Sequence, residues 1–266
     1  MTARSFPRAL LAACGLVLST AAPAQGFSAL VTPPRFEDSV KPGATYRNVI
    51  EITNVSDRAA RYTLQTADWT LDQGASAVFS SELAPGSCRP WVGIEAPEIS
   101  VAPNAKRRYR FEVAVPADAP AGECRFAIMI EGDPTAASGP VAVPVSGRIG
   151  VIVYVAIGDA APRFELLGSA TREHEGRVVP VLRVRNSGQA HGRMDGFIEG
   201  RDASGRSYAF APSNQPVLPG ETREIVLIPQ HDTEGAAAPT LAYPVRIDGE
   251  LDIGAQRLDI ETTIPR

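Results

Sequence analysis

The sequence predicts an all-β protein made of two tandem sandwiches, and three observations carry that expectation. The chain holds 23 Pro and 23 Gly in 266 residues, and no stretch places apolar residues at helical spacing. Short runs rich in Val, Ile, Thr and aromatic residues recur between turn signals at regular spacing, as in a sandwich. Two motifs of the first half also return, in the same order, in the second. Glu51-Ile-Thr-Asn54-Val-Ser56 is answered by Arg183-Val-Arg-Asn186-Ser-Gly188, each Asn closing a strand. Val101-Ala-Pro103-Asn-Ala105 is answered by Val217-Leu-Pro219-Gly-Glu221, each turn feeding an alternating strand. Each copy then spans on the order of 100 residues, enough for a core of its own.

The first 24 residues belong to neither copy. Arg4 and Arg8 precede an apolar run from Ala9 to Ala22, and Ala22-Pro23-Ala24 is a small-x-small cleavage signature. The run is too short for a comfortable membrane span. Most of it follows Cys14, so processing at that cysteine would leave almost no apolar region upstream, and lipidation is rejected. The mature chain is expected to start near Gln25 and to be exported, with no later span. Its formal charge of −4 becomes −6 once the two arginines leave, which argues against nucleic acid as a partner. Cys88 and Cys124 remain, and an even pair in an oxidising compartment favours a disulfide over two free thiols.

In order, Phe27–Val31 reads as a first strand, broken by Pro33-Pro34. The turn Lys41-Pro42-Gly43 feeds Tyr46–Thr53, and Asn54–Asp57 turns into Tyr62–Trp69. A less readable loop follows, then one bent strand or two short ones from Trp91 to Val101, interrupted at Pro97. Arg108–Val115 alternates most clearly: Tyr109, Phe111, Val113 and Val115 point one way, Arg108, Arg110 and Glu112 the other. After Pro116–Gly122, Cys124 shares a face with Phe126, Ile128 and Ile130 and is expected to look into the core.

The longest β-favouring run extends from Gly139 to Ile157. In its first half Val141, Val143 and Val145 alternate around Pro144, which cannot donate to a ladder and marks an edge. From Ile149 to Ile157 both faces are apolar, as in a strand covered on two sides. This run is read as the last strand of the first unit, residues 25–158. In the second, residues 159–266, strands are expected at Phe164–Leu167, Val178–Arg185, Met194–Glu199, Tyr208–Phe210, Thr222–Ile228, Tyr243–Ile247 and Leu258–Ile264.

No phosphate loop, nucleophile elbow or metalloprotease signature is present. His174, His191 and His231 are the only histidines, each at an expected loop or strand end, and nothing in their spacing makes a metal site. The acidic residues read as solvated positions on outer faces and turns. A non-enzymatic chain without metal or cofactor is the expectation. Its unusual feature is a Val-rich edge with little charge to blunt it, which invites pairing by another chain.

At this point the residues resemble periplasmic pilus-assembly chaperones, the PapD-like family. The similarity lies in Pro34-Arg35-Phe36 after the first strand, Ile-Thr-Asn54 closing the second, and Trp69 ending the third. Glu95-Ala-Pro97 with Val101-Ala-Pro103, and Arg148-Ile-Gly-Val-Ile-Val-Tyr154, continue it. The resemblance implies two immunoglobulin-like domains around a cleft and binding of a secreted pilus or fimbrial subunit, with an outer-membrane usher as a further partner. Carried over by residue, it implies that Arg35 and Arg148 anchor the subunit's terminal carboxylate and that Val141, Val143 and Val145 fill its groove. Pro116-Ala-Asp-Ala-Pro-Ala-Gly122-Glu-Cys124 replaces the family's usual stretch between fifth and sixth strands. A Cys88–Cys124 bridge would also be unusual, since immunoglobulin domains normally link the second and sixth strands. The competing expectation is a structural or adhesive envelope module whose last strand completes its own sheet. A small-ligand binder at the domain interface is a third.

Overall fold

In a computed structural model of the protein, residues 27–136, 144–230 and 239–266 are described, with backbone alone at 135–136 and 144–145. The expected signal peptide with Cys14, the positions Val141 and Val143, and His231 lie outside the described residues. No helix among the described residues is long and apolar enough to cross a membrane.

The first half contributes β1 (Ala29–Thr32), β2 (Arg35–Val40), β3 (Thr45–Asn54), β4 (Ala60–Leu71), β5 (Ala77–Ser80) and β6 (Val92–Ile94). Then follow β7 (Glu98–Val101), β8 (Lys106–Ala114), β9 (Gly122–Gly132), β10 (Thr135–Ala136), β11 (Pro144–Val145) and β12 (Arg148–Ile157). One sheet runs β1-β3-β8-β6; the facing sheet runs β2-β12-β9-β4, with β5 and β7 both against β4. The alternation of β8 does what its spacing requires. Tyr109, Phe111 and Val113 are buried and Arg108 and Arg110 exposed. Phe111 meets Phe36, Tyr46 and Phe126 edge-on between the sheets. Cys124 faces this core, as expected, and is bonded to Cys88, which lies just ahead of a single 3-10 turn at Arg89–Trp91.

The second half contributes β13 (Phe164–His174), β14 (Arg177–Asn186), β15 (Ile198–Arg201) and β16 (Ser207–Pro212). It ends with β17 (Thr222–Pro229), β18 (Val245–Ile253) and β19 (Gln256–Ile264), all joined in the order β13-β14-β17-β16-β15-β18-β19. They enclose a separate core in which Leu182, Val184, Phe210, Ile225, Leu227 and Ile247 are fully buried. The protein is therefore all-β, with two sandwich-like units each packed on its own core.

Several elements differ from the sequence expectation. The Gly139–Ile157 run is not one strand, because the chain leaves the ladder at Ser146-Gly147 between β11 and β12. Phe27 packs where a Gly147 side chain would stand, its Cβ 2.0 Å from an ideal Cβ there, and this contact needs glycine. β5 was not legible as a strand; it folds back on β4, placing Phe79 opposite Trp69. β13 runs past Leu167 to His174 through a register shift between Leu166 and Gly168. The expected strand at Met194–Glu199 begins only at Ile198, since Gly196 takes a left-handed φ of 101° and Asp195 makes an isolated bridge to Asp252.

Candidate functional site: a half-open sheet edge and the junction beside it

The Pro33-Pro34 pair decides where the sheet edge lies. Proline cannot donate to a ladder, so the chain leaves β3 after β1 and turns a corner into the opposite sheet. There β2 runs parallel to β12, with Arg35 opposite Ile152 and Val40 opposite Ile157. The Ile152 N–H reaches Pro34 O at 3.2 Å, and pairing on that side begins there. β12 itself begins four residues earlier. Its Arg148–Val151 stretch pairs with β9 on one side and, among the described residues, with no strand on the other. Because backbone groups alternate along a strand, the peptide groups of Arg148 and Gly150 point the same way as that of Ile152, toward the open side. Beyond Gly147 the edge continues into β11, where Val145 pairs with Thr135 and Pro144 with Ala136.

Arg35 stands where the open half-edge ends. In this register Arg35, Glu37, Ile152 and Tyr154 share the outer face of the sheet, while Phe36 and Val153 face the core. Arg35 Nε lies 2.6 Å from Glu37 Oε1. The same oxygen takes Arg193 Nε at 3.3 Å and His191 Nε2 at 3.4 Å, both from the segment ahead of β15. These three contacts make Glu37 strongly acidic, at about 2, with the His191 bond the largest cause. His191 also faces Glu123 on β9: its backbone N–H and its Nδ1 approach Glu123 Oε2 at 2.8 and 2.5 Å. The imidazole stacks on Tyr154 with ring centroids 3.6 Å apart. Burial pushes the His191 pKa down, but its bonds to Glu123 and Glu37 outweigh that and hold it above the ordinary histidine value.

Apolar contact extends this junction. Leu218 from the second unit packs among Trp69, Ala67, Ala127, Met129 and Tyr154 on the outer face of the β12-β9-β4 sheet. This covers the second apolar face of β12 that the sequence required. Arg125 lies over the Trp69 ring at 5.2 Å, and Arg223 donates to Asp72 O and Leu71 O at 3.0 and 3.3 Å.

Of the residues singled out from sequence, Arg35 and Arg148 lie at opposite ends of the open half-edge. They are four register positions, or about 13 Å, apart along the strand. Val145 lies on β11, and Val141 and Val143 are outside the described residues. The cations that do converge beside Arg35 are Arg193 and His191, which were not expected there. The reading of the acidic residues as solvated is also corrected, because the Glu123 side chain is only 2% exposed. The signal for it was available. In Glu123-Cys124-Arg125, a core-facing cysteine sends both charged neighbours to the opposite face.

The sequence matches no family model and no curated protein. Among solved structures it is similar to the class 5 fimbriae chaperone CfaA, at 10% identity and a TM-score of 0.48, over 90% of this chain and 99% of that one. It is likewise similar to the CsuC–CsuE chaperone–tip adhesion subunit pre-assembly complex of Acinetobacter baumannii. That match has 13% identity and a TM-score of 0.46, over 90% of this chain and 100% of the other. The E. coli chaperone DraB matches at 13% identity and a TM-score of 0.45, over 90% and 98% of the two chains.

Proposed function

We propose that this is a non-enzymatic, periplasmic chaperone-like protein that holds secreted pilus or fimbrial subunits by strand addition. The subunit strand would lie along Val141–Val145 and the free half of β12, its terminal carboxylate meeting Arg35. The observation that carries the reading is the half-open edge: backbone groups of Arg148 and Gly150 that, among the described residues, have no ladder partner, ending at an exposed cation. Backbone hydrogen bonds along such an edge give affinity, and alternating apolar side chains give selectivity. On this reading residues 25–158 form the domain that carries the edge. Residues 159–266 form a second domain that sets His191 and Arg193 beside its anchor.

The test pairs binding with stability. Val141, Val143 and Val145 are replaced together by Ser, and Arg35 separately by Ala; each variant is melted and used to pull down a co-expressed pilin-like subunit. Burying each Val in a subunit groove contributes about 1.5–3 kcal/mol, so the triple variant loses capture with little change in its own melting. Arg35→Ala weakens capture in the same way. If instead the strand closes its own core, the triple variant is strongly destabilised and Arg35→Ala does nothing to binding. That outcome favours a structural module of the envelope.

A further inference from the structure

We propose that Glu37 is a built-in carboxylate occupying the Arg35 anchor in the empty protein, and that protonated His191 draws it away so that a client's terminal carboxylate replaces it. The proposal rests on the strand-capture reading above and assigns regulation to the same anchor.

The geometry is that of a shared ligand. Glu37 Oε1 accepts from Arg35 on its own strand and from two cations of the second unit, at 2.6, 3.3 and 3.4 Å. A carboxylate held from two directions can give up one partner without being left alone in a partly buried place. Charge-assisted bonds of this kind are the stronger ones, so exchange of one carboxylate for another on Arg35 conserves most of the interaction. The chemical class that fits is a main-chain carboxylate at the end of an extended strand, because Arg35 stands in line with the open edge.

The charge balance favours one more anion. Around His191 stand Arg35 and Glu37 from β2, Glu123 and Arg125 from β9, the Tyr154 ring from β12, and Arg193 from its own segment. Asp38, next along β2, is turned away and accepts from Tyr46 Oη at 2.5 Å. With His191 protonated, four cations face two carboxylates; with it neutral, three do. Both ring nitrogens face carboxylate oxygens, and neutral imidazole can donate from only one of them. Loss of the proton therefore releases Glu37 from His191 and returns it to Arg35. Capture weakens as pH rises through the His191 titration.

The probe is an acetylated peptide of alternating Val and Thr, made with a free C-terminal carboxylate and as its C-terminal amide. Binding is measured to the wild type, Glu37→Gln and His191→Gln at about pH 5.5 and about pH 8.5, either side of the histidine range. The free acid should bind the wild type roughly fivefold tighter at the lower pH, the scale of a half-exposed ion pair. Glu37→Gln should bring the high-pH affinity up to the low-pH level, and His191→Gln should hold it weak at both. The amide should show no pH dependence. Acid and amide binding alike at both pH values would overturn the gate while leaving strand capture standing; binding of neither would overturn both. Because His191→Gln also alters the junction, the imidazole is titrated by NMR as well. Its midpoint should fall in Glu37→Gln, and an unchanged midpoint would overturn the proposal.

Discussion

Asn54 of the first unit and Asn186 of the second make matching bonds at corresponding points of the two repeated motifs. Asn54 Nδ2 donates to Val101 O at 3.1 Å, and Asn186 Nδ2 donates to Val217 O at 2.9 Å. Their backbone N–H groups go to Ala105 O and Glu221 O, both at 2.9 Å. Val101 and Val217 open the two Val-x-Pro turns, and Ala105 and Glu221 close them. Both Asn side chains are fully buried. The repetition seen in the sequence is thus a repetition of how a strand end is tied to the turn beside it.

Replacing either Asn by Ala leaves two or more carbonyls without their donor in a site closed to water. At about 1–3 kcal/mol for an unsatisfied buried group, each variant should lose about 2–4 kcal/mol. Calorimetry of the two variants is the measurement: Asn54→Ala should lower melting of the first unit and Asn186→Ala that of the second.

The Cys88–Cys124 bridge closes a loop with a sequence separation of 36. Chain entropy for a loop of that size gives about 3–4 kcal/mol of stabilisation. Labelling of the unreduced, denatured protein should find no reactive thiol at Cys88 or Cys124, and reduction should lower the melting temperature. Labelling of both Cys88 and Cys124 before reduction would refute the bond.

Gly188 lies two residues after Asn186 and is pressed against main chain. An added Cβ would stand 2.4 Å from both Ala161 O and Arg163 N. Backbone cannot swing aside as a side-chain tip can, so Gly188→Ala should destabilise the second unit by about 3 kcal/mol or more, in the range of severe overpacking. A urea melt following that unit is the check, and a shift within error would contradict the contact.

Asp202 is nearly buried in the turn after β15 and accepts from the Ser204 hydroxyl, with the Ser204 and Arg206 N–H groups joining it. The Ser204 bond is the foremost cause that brings its pKa down from 3.8 to about 2, with burial opposing. A folded-state value below the unfolded one adds stability that is present above about pH 4 and lost as pH falls toward about 2. Asp202→Asn should therefore lower stability at neutral pH and flatten the acid limb of the melting curve. An acid limb unchanged from wild type would show that another group carries it.

Strand content was largely legible where one face was apolar and the other not, although the expected Tyr243–Ile247 strand stops short of Leu251 and Ile253, which continue the alternation of β18. β8 and β9 announced their cores through Tyr109-x-Phe111-x-Val113 and Cys124-x-Phe126-x-Ile128, because alternation is a local property. The strands that escaped notice, β2, β5 and β10, are short, β2 is mostly polar as well, and they form because a neighbour supplies the ladder. The site was legible only in part for the same reason. Arg35 could be placed by its Pro-Arg-Phe surroundings. The His191 and Arg193 that share its Glu37 are more than 150 residues away, and only the packing of one unit on the other brings them there. Distance in sequence hid the chemistry.

The corner at Pro33-Pro34 gives the open edge a fixed zero. Any strand laid beside Arg148 and Gly150 advances until it meets the place where β2 already holds Ile152, and it can go no further. A plain edge strand lets its partner slip by two residues and still satisfy every pleat; this one has a stop. If a partner strand is captured as proposed, the edge would work as a ruler as well as a template, measuring that strand from its last residue backward.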